Sequence, residues 1–390
     1  MKLLHLVGGY PIGTHPFVLW QVNGTLELGH SVAVLAANEG NTAGRALARE
    51  LQLPDGICTY ADARKYPLLT LNPRRFLPSV SRAANRARYG RLLAEQRKSF
   101  FSDLLTRPDL RDIDVVQSHF ASWAIDVGLP LARLLQKPCV VTAHTAIDET
   151  PTDWLHHLQD EADAIVLVSD GDLRAFADRT GRSDKLHRVW NGVPLPACPP
   201  DRHRTTRRGR LRLVSAGRLD PAKRMLDVVD AVALLASNGI DCELSIFGEG
   251  AERDALEARI RNTGMIERIR LEGSVPHAQL MTELSAADLF LHASAVESFG
   301  MVMVEAMSAG LPVVAAASTG AREIVTNGET GLLFEVGDVT GLVAGVRLLA
   351  HDSTRRMTMG DAARQSVAER FSLEAHLRAM NSLWQALAAR

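Results

Sequence analysis

The sequence predicts an α/β protein built of two Rossmann-like domains. Three observations predict it. The chain has 390 residues, more than a single hydrophobic core usually supports. Short apolar runs alternate with helix-length stretches along most of it, the pattern of parallel strands joined by crossover helices. The alternation breaks at a proline- and arginine-rich stretch near residue 200 and then starts again.

The first unit opens with an apolar run at 3–7 that ends in Gly8-Gly9. Residues 17–28 carry helical spacing (Phe17, Leu19, Trp20, Val22, Leu26), Gly29 ends them, and 31–36 is the next strand. Strand, glycine loop, helix, glycine and strand make a βαβ unit. Further strands are predicted at 114–117, 138–142 and 164–168. Polar residues follow each of them: Ser118-His119, then His144-Thr145, then Ser169-Asp170. A lone histidine is usually structural. Two at successive strand ends are as readily a site, because ligands in open α/β sheets bind outside the carboxyl ends of the strands. Asp112-Ile113-Asp114 has the acid-x-acid spacing of metal-dependent sugar transferases, but it precedes a strand instead of ending one and reads as chance.

Residues 74–98 hold eight arginines and lysines against one acid, Glu95, with apolar residues interleaved through 101. Two readings stand: a solvated helical face, or peripheral contact with an anionic membrane through 74–101. Residues 191–210 read as a linker. Pro194, Pro196, Pro199 and Pro200 run into a basic polar stretch without apolar periodicity. The domains are therefore placed at 1–190 and 211–371. A helix within 372–390 is expected to pack back on the first domain.

The second unit restarts with a strand at 211–216 and the loop Gly217-Arg218-Leu219 with Lys223. A helix at 225–236 and a strand at 242–247 lead to Gly248-Glu249-Gly250, and a short strand at 269–271 leads to Gly273-Ser274-Val275. The densest signal is Glu297-Ser298-Phe299-Gly300-Met301 running on to Glu305. The apolar run 288–292 precedes it as a buried strand, and Gly310 and Pro312 close the helix that follows. A helix N-terminus at 299–301 offers free N–H groups and partial positive charge, which suits a phosphate. Glu297 and Glu305 beside it suit sugar hydroxyls, which donate hydrogen bonds. The plainer alternative is that both are solvated surface residues.

Composition excludes several classes. Hydrophobic content of 46% with 23% charged residues is that of a globular chain, and a net charge of −1 gives no field for nucleic acid. No apolar run approaches the roughly 18–20 residues of a membrane span. The N-terminal apolar run is too short for a signal peptide. The four scattered cysteines make no zinc or redox spacing. A cytoplasmic location is expected, with the basic segment as the candidate contact for the inner membrane face.

These motifs together resemble glycosyltransferase family 4. The Glu297–Glu305 pair is similar to the family's paired-glutamate motif, Gly217-Arg218-Leu219 with Lys223 to its G-R-L…K loop, and Gly328-Glu329-Thr330-Gly331-Leu332 to its G-x-T-G-L. Gly8-Gly9, Gly29-His30-Ser31-Val32, Asn191-Gly192-Val193 and Gly248-Glu249-Gly250 also match in order. Two stretches depart from the common pattern. Thr319-Gly320-Ala321-Arg322-Glu323 keeps one glycine and has Arg322 in place of proline. Gly13-Thr14-His15-Pro16-Phe17 is similar to the variant in bacterial exopolysaccharide and lipopolysaccharide transferases.

The resemblance implies the GT-B fold, in which the two domains face each other across a cleft. It also implies retaining transfer of a hexose from a nucleoside-diphosphate sugar to a glycan or lipid-linked glycan acceptor, without a cofactor or catalytic metal. By the same resemblance, Arg218 and Lys223 would hold the leaving diphosphate and Glu297 the donor sugar hydroxyls. Glu305 would hold the ribose, and His119 would reach the sugar from the first domain, with His144 a weaker candidate beside it. Gly8 and Gly9 would let the backbone approach phosphate or acceptor. Gly248, Gly250, Ser274 and Val275 would flank the base, and backbone donors at Ser298, Phe299, Gly300 and Met301 would complete the site.

Two other functions remain open to this pattern. A nucleotide-sugar epimerase could use the same fold. A dinucleotide-dependent oxidoreductase would need a glycine where Arg253 stands in the stretch beginning at Gly248.

Overall fold

The computed structural model describes residues 1–10, 16–39, 41–54, 56–60, 98–121, 124–195 and 210–390. Most of the basic 74–98 segment, the loop residues 13–15 and linker residues 196–209 lie outside the described residues.

Two parallel sheets form the frame. The first has the order β3-β2-β1-β4-β5-β6-β7, from β1 (Lys2–Tyr10), β2 (Ser31–Glu39), β3 (Cys58–Tyr60), β4 (Val115–His119), β5 (Cys139–Ala143), β6 (Ala164–Leu167) and β7 (Leu186–Arg188). The second has the order β10-β9-β8-β11-β12-β13, from β8 (Leu211–Ala216), β9 (Cys242–Phe247), β10 (Ile269–Gly273), β11 (Leu289–His292), β12 (Val313–Ala316) and β13 (Gly331–Phe334). In each sheet the chain starts centrally, builds to one edge and returns on the other side. The order therefore reverses between β1 and β4 and between β8 and β11. Such reversals leave a crevice at the carboxyl ends of the strands.

Central strands are buried along their whole length: every residue of β4, β5, β6, β11 and β12 is inaccessible. Helices cover both faces, so these strands read as continuous apolar runs instead of alternating ones. The helices at Leu129–Leu135, Thr152–Glu161, Asp170–Thr180 and Thr319–Ile324 were not read from the sequence. Each is short, and at Asp170–Thr180 polar residues hide the apolar face, leaving Phe176 as its buried aromatic.

The helix Leu373–Ala388 leaves the second sheet and covers the first. Met380, Trp384 and Leu387 pack on Leu3, Val115, Val140 and Val166. Its entry is pinned by Val193, whose N–H donates to the Phe371 carbonyl (3.0 Å) and whose carbonyl accepts from Leu373 N–H (2.8 Å). Beneath it, Trp384 Nε1 donates to Gln117 Oε1 (3.0 Å), and Gln117 Nε2 donates to Thr142 Oγ1 (2.9 Å). Buried polar groups are thus matched inside an apolar layer, as burial requires.

The acid-x-acid stretch lies at the amino edge of the first sheet. There Asp114 Oδ2 accepts from the Lys2 backbone N–H (2.8 Å), which ties β1 to the start of β4, away from the carboxyl-end crevice.

Candidate active site

The second sheet brings Lys223 and Glu297 into contact. Lys223 ends the 3₁₀ turn Pro221–Lys223 after β8, and Glu297 lies in the loop after β11. The loops are laced together: Ala295 N–H donates to the Ala222 carbonyl (2.8 Å), and Ser294 Oγ to the same oxygen (3.3 Å). Lys223 Nζ then sits 2.5 Å from Glu297 Oε1, and His292 Nε2 from the end of β11 lies 3.0 Å from that oxygen. Burial opposes the Glu297 charge. The His292 hydrogen bond and charge, with Lys223, outweigh it and hold the carboxyl at about 2.

The helix Met301–Ser308 starts three residues beyond Ser298. Its cap is Gly300 at φ +100, which has no side chain to bond the first-turn N–H groups. Only glycine adopts that backbone without strain. Glu305, one turn in, is 5% exposed, and its Oε1 pairs with His277 Nε2 at 3.1 Å. Burial opposes protonation of His277, but the Glu305 hydrogen bond and charge, with Glu50, outweigh it and raise its pKa. The ring of His277 meets Trp20 of the first half edge-on at 5.2 Å. Phe299 is buried against Phe371, whereas Ser298 and Met301 stay partly exposed.

Arg218 is placed differently. Its side chain is 73% exposed and pairs only with Asp220, at 2.9 Å, among the ion pairs of the described residues. Gly248 and Gly250 serve the packing of loops: a Cβ on Gly248 would lie 1.8 Å from the Gly217 carbonyl oxygen, and one on Gly250 2.3 Å from that of Leu219. Any side chain there would push the Arg218 loop away. Ser274 is exposed and Val275 partly buried at the end of β10. Gly8 is exposed, and a Cβ there would meet nothing within 4 Å, so packing does not demand glycine; Gly9 follows it in β1.

In the first half, His119 is fully buried at the end of β4. His5 Nδ1 lies 3.1 Å from its Nε2 and His144 Nε2 lies 3.1 Å from its Nδ1. Both ring nitrogens are thus engaged by other histidines. His144 is the partly exposed member of this stack, flanked by Phe17 (4.5 Å) and Phe120 (5.0 Å). Sequence reasoning missed His5, His277 and His292. A histidine five residues before a loop glutamate was the one signal available, and it pointed to His292.

The halves also meet through Glu323. Both its oxygens accept from the Asp170 backbone N–H (3.0 and 2.8 Å), and Oε1 also accepts from Trp190 Nε1 (2.5 Å). A carboxylate from the second half so caps the helix Asp170–Thr180 of the first. Among the described residues, no three His, Cys, Asp or Glu side chains gather to hold a metal ion, and no helix is long and apolar enough to cross a membrane.

Residues 18–196 match the family model "Glycosyltransferase Family 4", and 201–366 match "Glycosyl transferases group 1". The D-inositol 3-phosphate glycosyltransferase of Corynebacterium aurimucosum is 30% identical over 283 residues, 65% of this chain and 67% of that protein. The chain belongs to glycosyltransferase family 4. The putative colanic acid biosynthesis glycosyltransferase WcaL of Salmonella typhimurium is 25% identical across 99% of this family 4 chain and 100% of its own length. A Mycobacterium tuberculosis glycogen synthase is 29% identical over 272 residues, and the chain spans 65% of it. Anabaena HepE, solved in complex with UDP-glucose, superposes with a TM-score of 0.77 at 20% identity over 99% of this chain and 100% of its own. The two-sheet architecture is the GT-B fold, and the protein is a glycosyltransferase.

Proposed function

We propose that the protein moves a hexose from a nucleoside-diphosphate sugar to a glycan or lipid-linked glycan in cell-surface polysaccharide synthesis, with retention of anomeric configuration. The observation that carries this reading is the meeting of Lys223 and Glu297 between two strand-end loops at the switch point of the second sheet, beside a helix N-terminus capped by a glycine. HepE holds UDP-glucose on the same fold, and WcaL is named for an exopolysaccharide; both support the donor and acceptor classes.

In this reading Lys223 and Arg218 meet the diphosphate as negative charge develops on it, and the first-turn N–H groups after Gly300 assist. These fixed cations act where a metal would otherwise be needed. Glu297 accepts from donor sugar hydroxyls and Glu305 from the ribose. His144 faces the sugar from the first half, with His119 behind it. The bond from the anomeric carbon to the phosphate oxygen breaks, with its electron pair on the phosphate. The acceptor oxygen bonds the same face of that carbon and passes its proton to the departing phosphate.

A panel of uridine and guanosine diphosphate sugars, scored by thermal shift and hydrolysis, tests the donor. Stabilisation and slow hydrolysis with at least one is expected, unchanged by chelator. Silence across the panel would remove the reading. An inverted product anomer by NMR would remove retention.

A further inference from the structure

The helix Thr319–Ile324 stands between the Glu297 loop and the first half. It is only six residues long, and two of its faces are occupied at the i, i+4 spacing that sets helix residues side by side. Gly320 and Ile324 face the loop. Gly320 N–H donates to the Glu297 carbonyl (2.9 Å), and a Cβ on Gly320 would lie 2.5 Å from the Phe299 carbonyl oxygen. Ile324 is fully buried, and its Cδ1 lies 3.6 Å from where a Cβ on Gly300 would sit. Thr319 and Glu323 face the first half. A Cβ on Gly171 would meet Thr319 Cγ2 at 2.2 Å, and the Glu323 carboxylate holds Asp170 N–H and Trp190 Nε1. Arg322 fastens the helix to the strand ends beneath it: its Nε donates to the Ala317 carbonyl after β12 (2.9 Å), and Nη2 to Glu335 Oε1 after β13 (3.1 Å).

A second route runs through rings. Trp190 meets Phe371 edge-on at 5.2 Å, and Phe371 meets Phe299 edge-on at 5.6 Å. The Arg188 and Arg370 guanidiniums stand over the Trp190 ring at 3.8 and 5.0 Å, and Arg370 Nη2 also donates to the Glu323 carbonyl (2.8 Å). Both routes begin at the Trp190 indole and end on the residues that flank Ser298. Each step is a directed hydrogen bond or a packed contact. Close-packed interiors pass displacement on instead of absorbing it, so a shift at the joint between the halves must move the loop or break a contact.

We propose that Glu323 and Trp190 are positioning residues: through the helix Thr319–Ile324 and through Phe371 they brace the Glu297–Gly300 loop against the first half. The consequence for turnover rests on the proposed function; the brace does not.

Amide hydrogen exchange of the full-length protein reads the brace with no ligand added. Glu323→Ala should raise exchange at Asp170, which loses its acceptor. It should also raise exchange at Gly320 and Met303, whose N–H groups bond the Glu297 and Gly300 carbonyls. Glu323→Gln keeps an oxygen for Asp170 and should recover part of the protection. A rise confined to residues 170–173 would make Glu323 a helix cap and nothing more, and overturns the proposal. If Glu323→Ala does not fold, Trp190→Phe decides by the same Gly320 and Met303 amides, since it removes the indole N–H and keeps a ring beside Phe371. With a uridine or guanosine diphosphate sugar that is turned over, Glu323→Ala should lower kcat between about tenfold and a hundredfold, the cost of a displacement of up to about 1 Å. Donor KM should stay near wild type, because Glu305 and His277 lie outside both routes. Unchanged kcat in a variant with raised exchange at Gly320 overturns the positioning role. Absence of turnover with every nucleotide sugar, beside the expected exchange, would count against the function and leave the brace intact.

Discussion

Lys223 and Glu297 neutralise each other at the switch point of the second sheet, 2.5 Å apart with side chains only 17% and 12% exposed. The pair holds a cation and an acceptor together within the fold. In the proposed reading each must share its partner when a sugar diphosphate arrives, so that binding there would be an exchange of ion pairs, not the filling of an empty charged pocket.

Lys223→Ala should leave Glu297 buried with His292 as its remaining partner, costing about 2–4 kcal/mol. Adding Glu297→Gln should recover part of that loss, because the uncompensated charge goes with it. The Glu297 pKa lies below its ordinary value of 4.5, so its stabilisation is present above pH 4.5 and fades as pH falls toward about 2. Chemical denaturation of the single and double variants, repeated on the acid side, measures both effects. Equal stability of Lys223→Ala and wild type near neutral pH would show that the pair is not coupled.

Arg218→Ala removes an exposed side chain whose one ion pair among the described residues is with Asp220. Melting should be unchanged, since exposed pairs contribute little. Turnover should fall on the order of a hundredfold, the scale of losing one donor to developing charge. Steady-state rates with unaltered melting check it, and near-wild-type turnover would exclude Arg218 from the site.

His277→Ala should raise donor KM more than it lowers kcat, because His277 fixes Glu305 where it would meet the ribose in ground and transition states alike. The raised His277 pKa gives stability that is fully present below its ordinary value and lost as pH rises through the folded one. The melting gap between variant and wild type should thus be wider at about pH 6 than at about pH 9.

Asp172 has the same sign as His277 and the opposite of Glu297. Burial, with Asp148 and Glu323 nearby, lifts its carboxyl to about 6 despite the hydrogen bonds from Ile147 N–H and Ser169. The folded state therefore holds this proton more tightly than the unfolded chain does, and its cost is complete above about pH 6. Asp172→Asn should stabilise the protein by about 1–2 kcal/mol near pH 7 and hardly at all near pH 4. Denaturation midpoints at the two pH values test it, and a destabilised variant at neutral pH would contradict the assignment.

How far the sequence carried depended on whether a contact was local. The strand, loop and helix from Leu289 to Ser308 were legible because Gly300, Gly310 and Pro312 punctuate them and the apolar runs between are short and pure. Lys223 and Glu297 were put in one site by the resemblance alone; that their loops touch follows from the pairing of β11 with β8, a long-range contact. His5 was not legible. In Lys2-Leu3-Leu4-His5-Leu6 it looks like the polar position of a half-exposed strand; it is buried by Trp384. Gly248 and Gly250 were placed beside the base by the resemblance alone; the packing reason for glycine there, a carbonyl of the loop after β8 where each Cβ would sit, is visible only in the structure. His119 looked like an open strand-end histidine because its two nitrogen partners come from β1 and from the residue after β5.

The placement of Leu373–Ala388 on the first sheet has a consequence for biosynthesis. Leu3, Val115, Val140 and Val166 are made early, and the Met380, Trp384 and Leu387 that cover them come hundreds of residues later. While the second sheet is being translated, the first must wait with this face bare, and domains that emerge early with exposed apolar surface are prone to misassembly. The nascent chain should therefore depend on a chaperone, or on partial collapse of that face, until its closing helix has left the ribosome.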